Sequence, residues 1–495
     1  MDIDQYRKNS EDFISKLEKE YYLHFSGIKE DVNFSAIYDE YDFLFSLDNV
    51  EYLKTLKETS SGEQRKKTSY LLKFCVEGYL QGKVKSLFDQ ICADEANAKV
   101  EVDGKEVSYR YSEVILSNEA NKEKRDLIDD RRNEIVEKLF NRNLVRYWEE
   151  LHLQAENLGF SSYVELFSYL KDEDFLRLKE DMEMLLEATQ DMYEEHFGSF
   201  LEKELGIKLE DSRRSDFSFL RRAKKYDSFF KKGCLIDLFR ETLLGMGIDL
   251  GKQPNIHLDI EEREKKSPRA FCSTVKVPQE IYLVVMPIGG QDDYEAMFHE
   301  GGHAEHFGCT SPRLDFEYRY LGDNALTEGY AFCFEHLMQD RSWLVDVVGF
   351  DPDDAKGFIY FSNIVKLWFL RRYAAKLKYE LILHSEKEVF GKEGAYQEIL
   401  SQANLMKYPW ETYLKDVDEG FYCTNYLRAW IFEAQLKNYI LEEFDYTWYK
   451  KKKTGDFLRE LWSYGQKYTP EELLREIGFK GLQIEYLINS LAFKK

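Results

Sequence analysis

Apolar residues recur at intervals of three and four over most of the first 250 positions. Within Glu180–Phe200, for example, Met182, Leu185, Leu186 and Met192 fall at near-helical spacing. No proline interrupts this stretch, because all eight lie at or after Pro254. A proline inside a helix costs ~3 kcal/mol, so the pattern predicts an array of long helices. One local switch to alternation, Val100–Tyr109, is centred on Asp103-Gly104 and predicts a short β-hairpin. Neither an internal repeat nor a low-complexity linker is visible.

Near Pro254 the texture changes. Prolines, glycines and β-branched runs appear, and helical spacing returns from about Asp292. The change places a boundary near residue 250, between a proline-free helical region (1–250) and a second region (251–495). Ile281–Met286 is an apolar run between Pro278 and Pro287 and reads as a strand. Its flanking prolines favour a sheet edge, since proline cannot donate to a ladder. Gly289-Gly290 then turns the chain. Asp292, with Glu295 three residues on, gives a capping signal for the next helix.

That helix carries His299-Glu300-Gly301-Gly302-His303. Residues i and i+4 share one helix face, so both imidazoles can reach one ion. Zinc takes neutral imidazole nitrogen, and a catalytic site keeps one position open for water. Glu300 is then placed to act as the base. Two interior glycines cost roughly 1 kcal/mol each relative to alanine; close approach of a ligand backbone would explain them. The metzincin pattern requires glycine at 306 and histidine at 309, where this chain has His306 and Cys309. Glu328, which opens a second apolar-patterned helix, is the expected third ligand. Glu335, two turns further along the same face, is expected to orient a ligand histidine. His306 is expected to be structural or part of a subsite, not a fourth ligand.

Composition narrows the class. Lys and Arg number 69 against 92 Asp and Glu, a net charge of −23. So acidic a chain is a poor partner for nucleic acid. No apolar run reaches the ~18 residues of a membrane span, and the first residues form no secretory signal. Seven cysteines, none in a Cys-x-x-Cys pair, fit reduced thiols in the cytoplasm. The one basic stretch, Arg213–Lys232, reads as a solvated helix face, with capture of a peptide carboxylate as its alternative.

The run His299-Glu-Gly-Gly-His-Ala-Glu-His306, followed by Thr327-Glu328-Gly329, resembles the thimet oligopeptidase and oligoendopeptidase F group of gluzincin peptidases. The likeness is strongest from about Arg269 to Trp430. It implies a mainly α zincin-type bowl with a deep channel, a small β-sheet beside the zinc-binding helix, and one zinc ion per chain. It also implies that the strand at Glu280–Met286 pairs with an extended substrate. In that group a tyrosine-rich segment after the zinc helices stabilises the oxyanion. The matching stretch here, Glu419–Trp430, offers Tyr422, Tyr426 and Arg428. It departs from the group in lacking the preceding histidine and in its tyrosine spacing.

The resulting expectation is a monomeric zinc peptidase cutting internal bonds of short peptides, with metal ligands His299, His303 and Glu328 and Glu300 as base. Tyr426 or Tyr422, with Arg428, would serve the oxyanion. The alternatives are a zinc carboxypeptidase or dipeptidyl carboxypeptidase, and a non-catalytic peptide-binding helical scaffold.

Overall fold

The computed structural model describes residues 2–491 and Phe493. Helices dominate, as the proline-free pattern predicts. Seven of them carry the argument: α1 (Ile3–Phe25), α2 (Gly62–Asn97), α3 (Leu235–Gly245), α4 (Gln291–Cys309), α5 (Asn324–Glu335), α6 (Pro352–Leu383) and α7 (Tyr422–Phe444). α2 runs for 36 residues without a break. The Glu180–Phe200 segment is instead two helices that meet at Thr189. There the buried Thr189 hydroxyl bonds back to the Leu185 carbonyl at 2.7 Å, and Arg371 bonds the same oxygen. Such back-bonding competes with the helix ladder.

The predicted hairpin is present as β1 (Lys99–Val102) and β2 (Lys105–Ser108), paired antiparallel. Asp103 and Gly104 both have positive φ, the requirement of a type I′ turn. A second sheet holds β3 (Ile256–Asp259), β4 (Phe271–Lys276) and β5 (Glu280–Val284) in the order β3-β5-β4. The apolar run is therefore the central strand and not an edge. Pro278 and Pro287 lie outside its bounds, so every strand residue can join a ladder. Ile281, Leu283 and Val284 are buried within it, as suits a central strand. With both edges of β5 paired inside the sheet, the substrate-pairing role that the resemblance gives this strand is not open to it.

β4 is one of the two edge strands, and two carboxylates meet its free flank. Cys272 N donates to Glu300 Oε2 at 2.9 Å, and Thr274 N to Glu18 Oε2 of α1 at 3.2 Å. Helix cover of this kind blocks stray edge pairing.

Contacts gather the chain into two compact units. One comprises residues up to Gly78, Lys224–Asn363 and the chain from Asn425 on; the other comprises Tyr79–Ala223 and Ile364–Thr424. The segment Lys224–Asn363 runs unbroken through residue 250. No cysteine forms a disulfide, and among the described residues no helix is long and apolar enough to cross a membrane. At the ends of the basic stretch, Arg213 pairs with Asp130 at 2.7 Å, and Lys232 pairs with Glu262.

Candidate metal centre

α4 begins two residues earlier than the capping signal suggests, with Gly290 at the cap instead of Asp292. Asp293, rather than Asp292, reaches back to the amides of Ile288 and Gly289. The helix packs along α5, and its glycines make the approach possible. A Cβ on Gly302 would stand 2.7 Å from Ala331 Cα, and one on Gly301 would stand 2.4 Å from the Phe239 ring of α3. The pair therefore serves helix packing, not the approach of a ligand backbone.

This packing sets His299 and His303 against Glu328. One ligand atom from each falls within 4.8 Å of the other two. The imidazole Nε2 atoms stand 3.3 Å (His299) and 3.7 Å (His303) from Glu328 Oε2. Each ring is also held from behind. His299 Nδ1 lies 2.8 Å from Glu335 Oε2, the contact expected of Glu335. His303 Nδ1 lies 2.8 Å from the Thr327 hydroxyl. His306 sits beyond Thr327, with Nδ1 3.1 Å from that hydroxyl and Nε2 3.2 Å from the Gly465 carbonyl. Burial pushes its pKa down to about 3, so it is a neutral structural histidine.

The electrostatics call for a positive charge at this spot. Burial opposes ionisation of His299, yet Glu328 and Glu335 outweigh it and raise the pKa well above its ordinary value. Burial likewise works against the Glu328 carboxylate, and the two histidines outweigh it and hold the pKa far below the usual range. Glu300 differs. Burial, aided by the Glu328 charge, raises its pKa against the pull of His303 and His299. A carboxylate raised toward neutrality is suited to general-base work. Two imidazole nitrogens and one carboxylate oxygen form the donor set of a catalytic zinc with an open position, so the residues fit that ion.

No protein-family model matches the chain, and no curated protein matches it significantly in sequence. Solved structures do match in shape. A Bacillus anthracis protein designated oligoendopeptidase F superposes at TM-score 0.68 with 16% identity, over 97% of this chain and 88% of its own. The fold is that of the oligoendopeptidases. PZ peptidase A, solved with an inhibitor, matches at TM-score 0.68 and 14% identity, over 97% of this chain and 90% of its own. Another structure designated oligoendopeptidase F matches at 0.67 and 14%, over 98% and 90%.

On this oligoendopeptidase fold the three oxyanion candidates part company. Tyr426 is half-buried, its ring 6.1 Å from Phe332, which itself lies 5.2 Å from the His299 ring. Arg428 is buried and bonds Glu471 (3.0 and 2.7 Å) and Asp323 Oδ2 (2.7 Å). Asp323 in turn caps α5 by accepting from Ala325 N at 2.9 Å. Arg428 thus braces the end of the helix that presents Glu328. Tyr422 belongs to the other unit, where it opens α7.

Sequence reasoning assigned no role to the Thr327 hydroxyl or the Cys272 amide. A hydroxyl residue directly before a ligand on the same helix was the available signal for Thr327. A backbone amide carries no sequence signal.

Proposed function

We propose that the chain is a zinc-dependent peptidase that hydrolyses internal bonds of short peptides. The observation that carries this reading is the convergence of both imidazole Nε2 atoms on the Glu328 carboxylate, with Glu300 in the intervening turn. The likeness in fold to oligoendopeptidase F and PZ peptidase structures supports peptides as the substrate class.

His299, His303 and Glu328 would hold the zinc. When bound, zinc supplies Lewis acidity, polarising a carbonyl and lowering the pKa of water to about 7. Glu300 takes the proton of the attacking water and delivers it to the leaving amine nitrogen as the C–N bond breaks. The Cys272 amide holds the Glu300 carboxylate in a fixed direction for both transfers. Tyr426 is the oxyanion donor we favour, and Tyr422 is the alternative. Arg428 acts through Asp323, by steadying α5. Engagement of Arg428 with Glu471 and Asp323, and of Arg213 and Lys232 with Asp130 and Glu262, favours internal cleavage over capture of a substrate's terminal carboxylate. Cysteines that form no disulfide support a reducing compartment such as the cytoplasm.

The test is metal content by plasma mass spectrometry together with cleavage of quenched fluorescent peptides. One zinc per chain is expected, with cleavage lost on chelation. Glu300→Gln should keep zinc and fold while turnover falls by ~10²–10⁴-fold. C-terminal amidation of the peptide should leave cleavage intact; its loss would indicate a carboxypeptidase. No metal, with no cleavage after zinc is added back, would favour the binding scaffold.

A further inference from the structure

Gly465 lies far along the chain from His306, yet its carbonyl decides how protons are arranged at the metal trio. A carbonyl oxygen can only accept, so His306 Nε2, 3.2 Å away, carries the hydrogen. A neutral imidazole has one N–H, which leaves His306 Nδ1 as an acceptor. Its partner at 3.1 Å is the Thr327 hydroxyl, which must donate its single proton there. That oxygen then has only lone pairs to offer His303 Nδ1 at 2.8 Å. His303 must therefore donate from Nδ1, which leaves Nε2, the atom facing Glu328, as the nitrogen available to a metal.

We infer that Thr327 and His306 form a neutral hydrogen-bond relay, anchored at the Gly465 carbonyl, that fixes the tautomer in which His303 Nε2 is ready to bind metal. Thr327 and His306 are positioning residues, since neither offers an atom to the trio. The two ligand histidines are backed differently. His299 leans on the carboxylate of Glu335, which adds negative charge behind the ring. His303 leans on a neutral chain that supplies direction without charge. The hydroxyl of Thr327 is the indispensable link, because it alone can accept from one ring while donating to the other. Serine preserves that chemistry, and valine removes it at almost the same volume.

The inference rests on the trio being a zinc site, and the experiment separates the two ideas. Zinc dissociation constants of the full chain are measured by competition with a chromogenic chelator, for the unaltered protein, Thr327→Val, Thr327→Ser and His306→Phe. Thermal unfolding of each metal-free form runs alongside. Thr327→Val is expected to weaken zinc binding by ~10–100-fold, with Thr327→Ser within about 3-fold of the unaltered chain. His306→Phe should shift affinity in the same direction by less, because the hydroxyl can still accept from His303. In the metal-free chain, ¹⁵N spectra with labelled histidine should find His303 protonated at Nδ1 and His306 at Nε2. Unaltered affinity in Thr327→Val, no rescue by serine, or His303 without a proton at Nδ1 would overturn the relay. An unaltered chain that binds no zinc would remove the zinc site, and the relay's purpose with it.

Discussion

Each unit contains a trio of ligand-type side chains within 4.8 Å of one another: His299, His303 and Glu328 in one, Glu380, Asp418 and Cys423 in the other. By proximity alone they are equivalent. Their surroundings separate them. In the second trio both oxygens of Glu380 already meet donors. Asp418 N donates to Glu380 Oε1 at 2.9 Å, and the Cys423 thiol to Glu380 Oε2 at 3.1 Å. Lys376 lies 2.7 Å from Asp418 and brings a positive charge of its own. Burial opposes that charge, but Asp416, Glu380 and Asp418 outweigh it and keep the lysine protonated. In the first trio the Glu328 carboxylate meets two imidazole nitrogens, at 3.3 and 3.7 Å. Imidazoles can give up their protons to a metal, whereas the second trio already holds the charge of Lys376. The two are separated by the cation in place and not by a count of ligand atoms.

The comparison breaks most plainly on metal stoichiometry. His303→Ala should take bound zinc from one per chain to none, while Cys423→Ser should leave it at one; equal losses would make the trios alike. Next in size is the cation that the second trio already holds. Lys376→Met strips a buried network of its charge and should cost about 3 kcal/mol in denaturant unfolding. A cost near zero would show that the lysine is not what satisfies the cluster. Glu335→Gln keeps the hydrogen bond to His299 and removes the charge, so zinc affinity should fall by ~10-fold, the low end for such partners.

The smallest effect is in pH dependence. Burial, with the Asp418 charge adding to it, pushes the Glu380 pKa from 4.5 to about 8 against the pull of Lys376. A raised folded-state pKa means that folding binds a proton. The stabilisation from this group is complete below pH 4.5 and is lost as pH rises through about 8. Glu380→Gln should flatten that part of the melting-temperature profile, and an unchanged slope would place the titration elsewhere.

Much of this was legible in the chain, for local reasons. An absence of proline announces helices, and Asp103-Gly104 announces a turn that needs two positive φ values. The i, i+4 spacing brings His299 and His303 to one face, and Glu328 at the head of the next helix completes the convergence. What was not legible depends on partners distant in sequence. The prolines around β5 suggest an edge, but its neighbours β3 and β4 are set by the fold. Gly301 and Gly302 read as room for a ligand until Phe239 and Ala331 take up that room. Thr327 gains its meaning only from Gly465.

That last contact bears on the order in which the protein comes together during synthesis. His306 and Gly465 are 159 positions apart, and Ser273 meets Glu18 across 255. The unit bearing the metal trio is thus woven from the two ends of the chain and its middle. A nascent chain that has just passed Glu328 possesses all three ligands but lacks the carbonyl that orients one of them. Contacts so remote form slowly and late. Truncation before Gly465 should therefore yield a chain with every ligand present and no settled histidine tautomer, and the unit cannot be expressed as one continuous fragment.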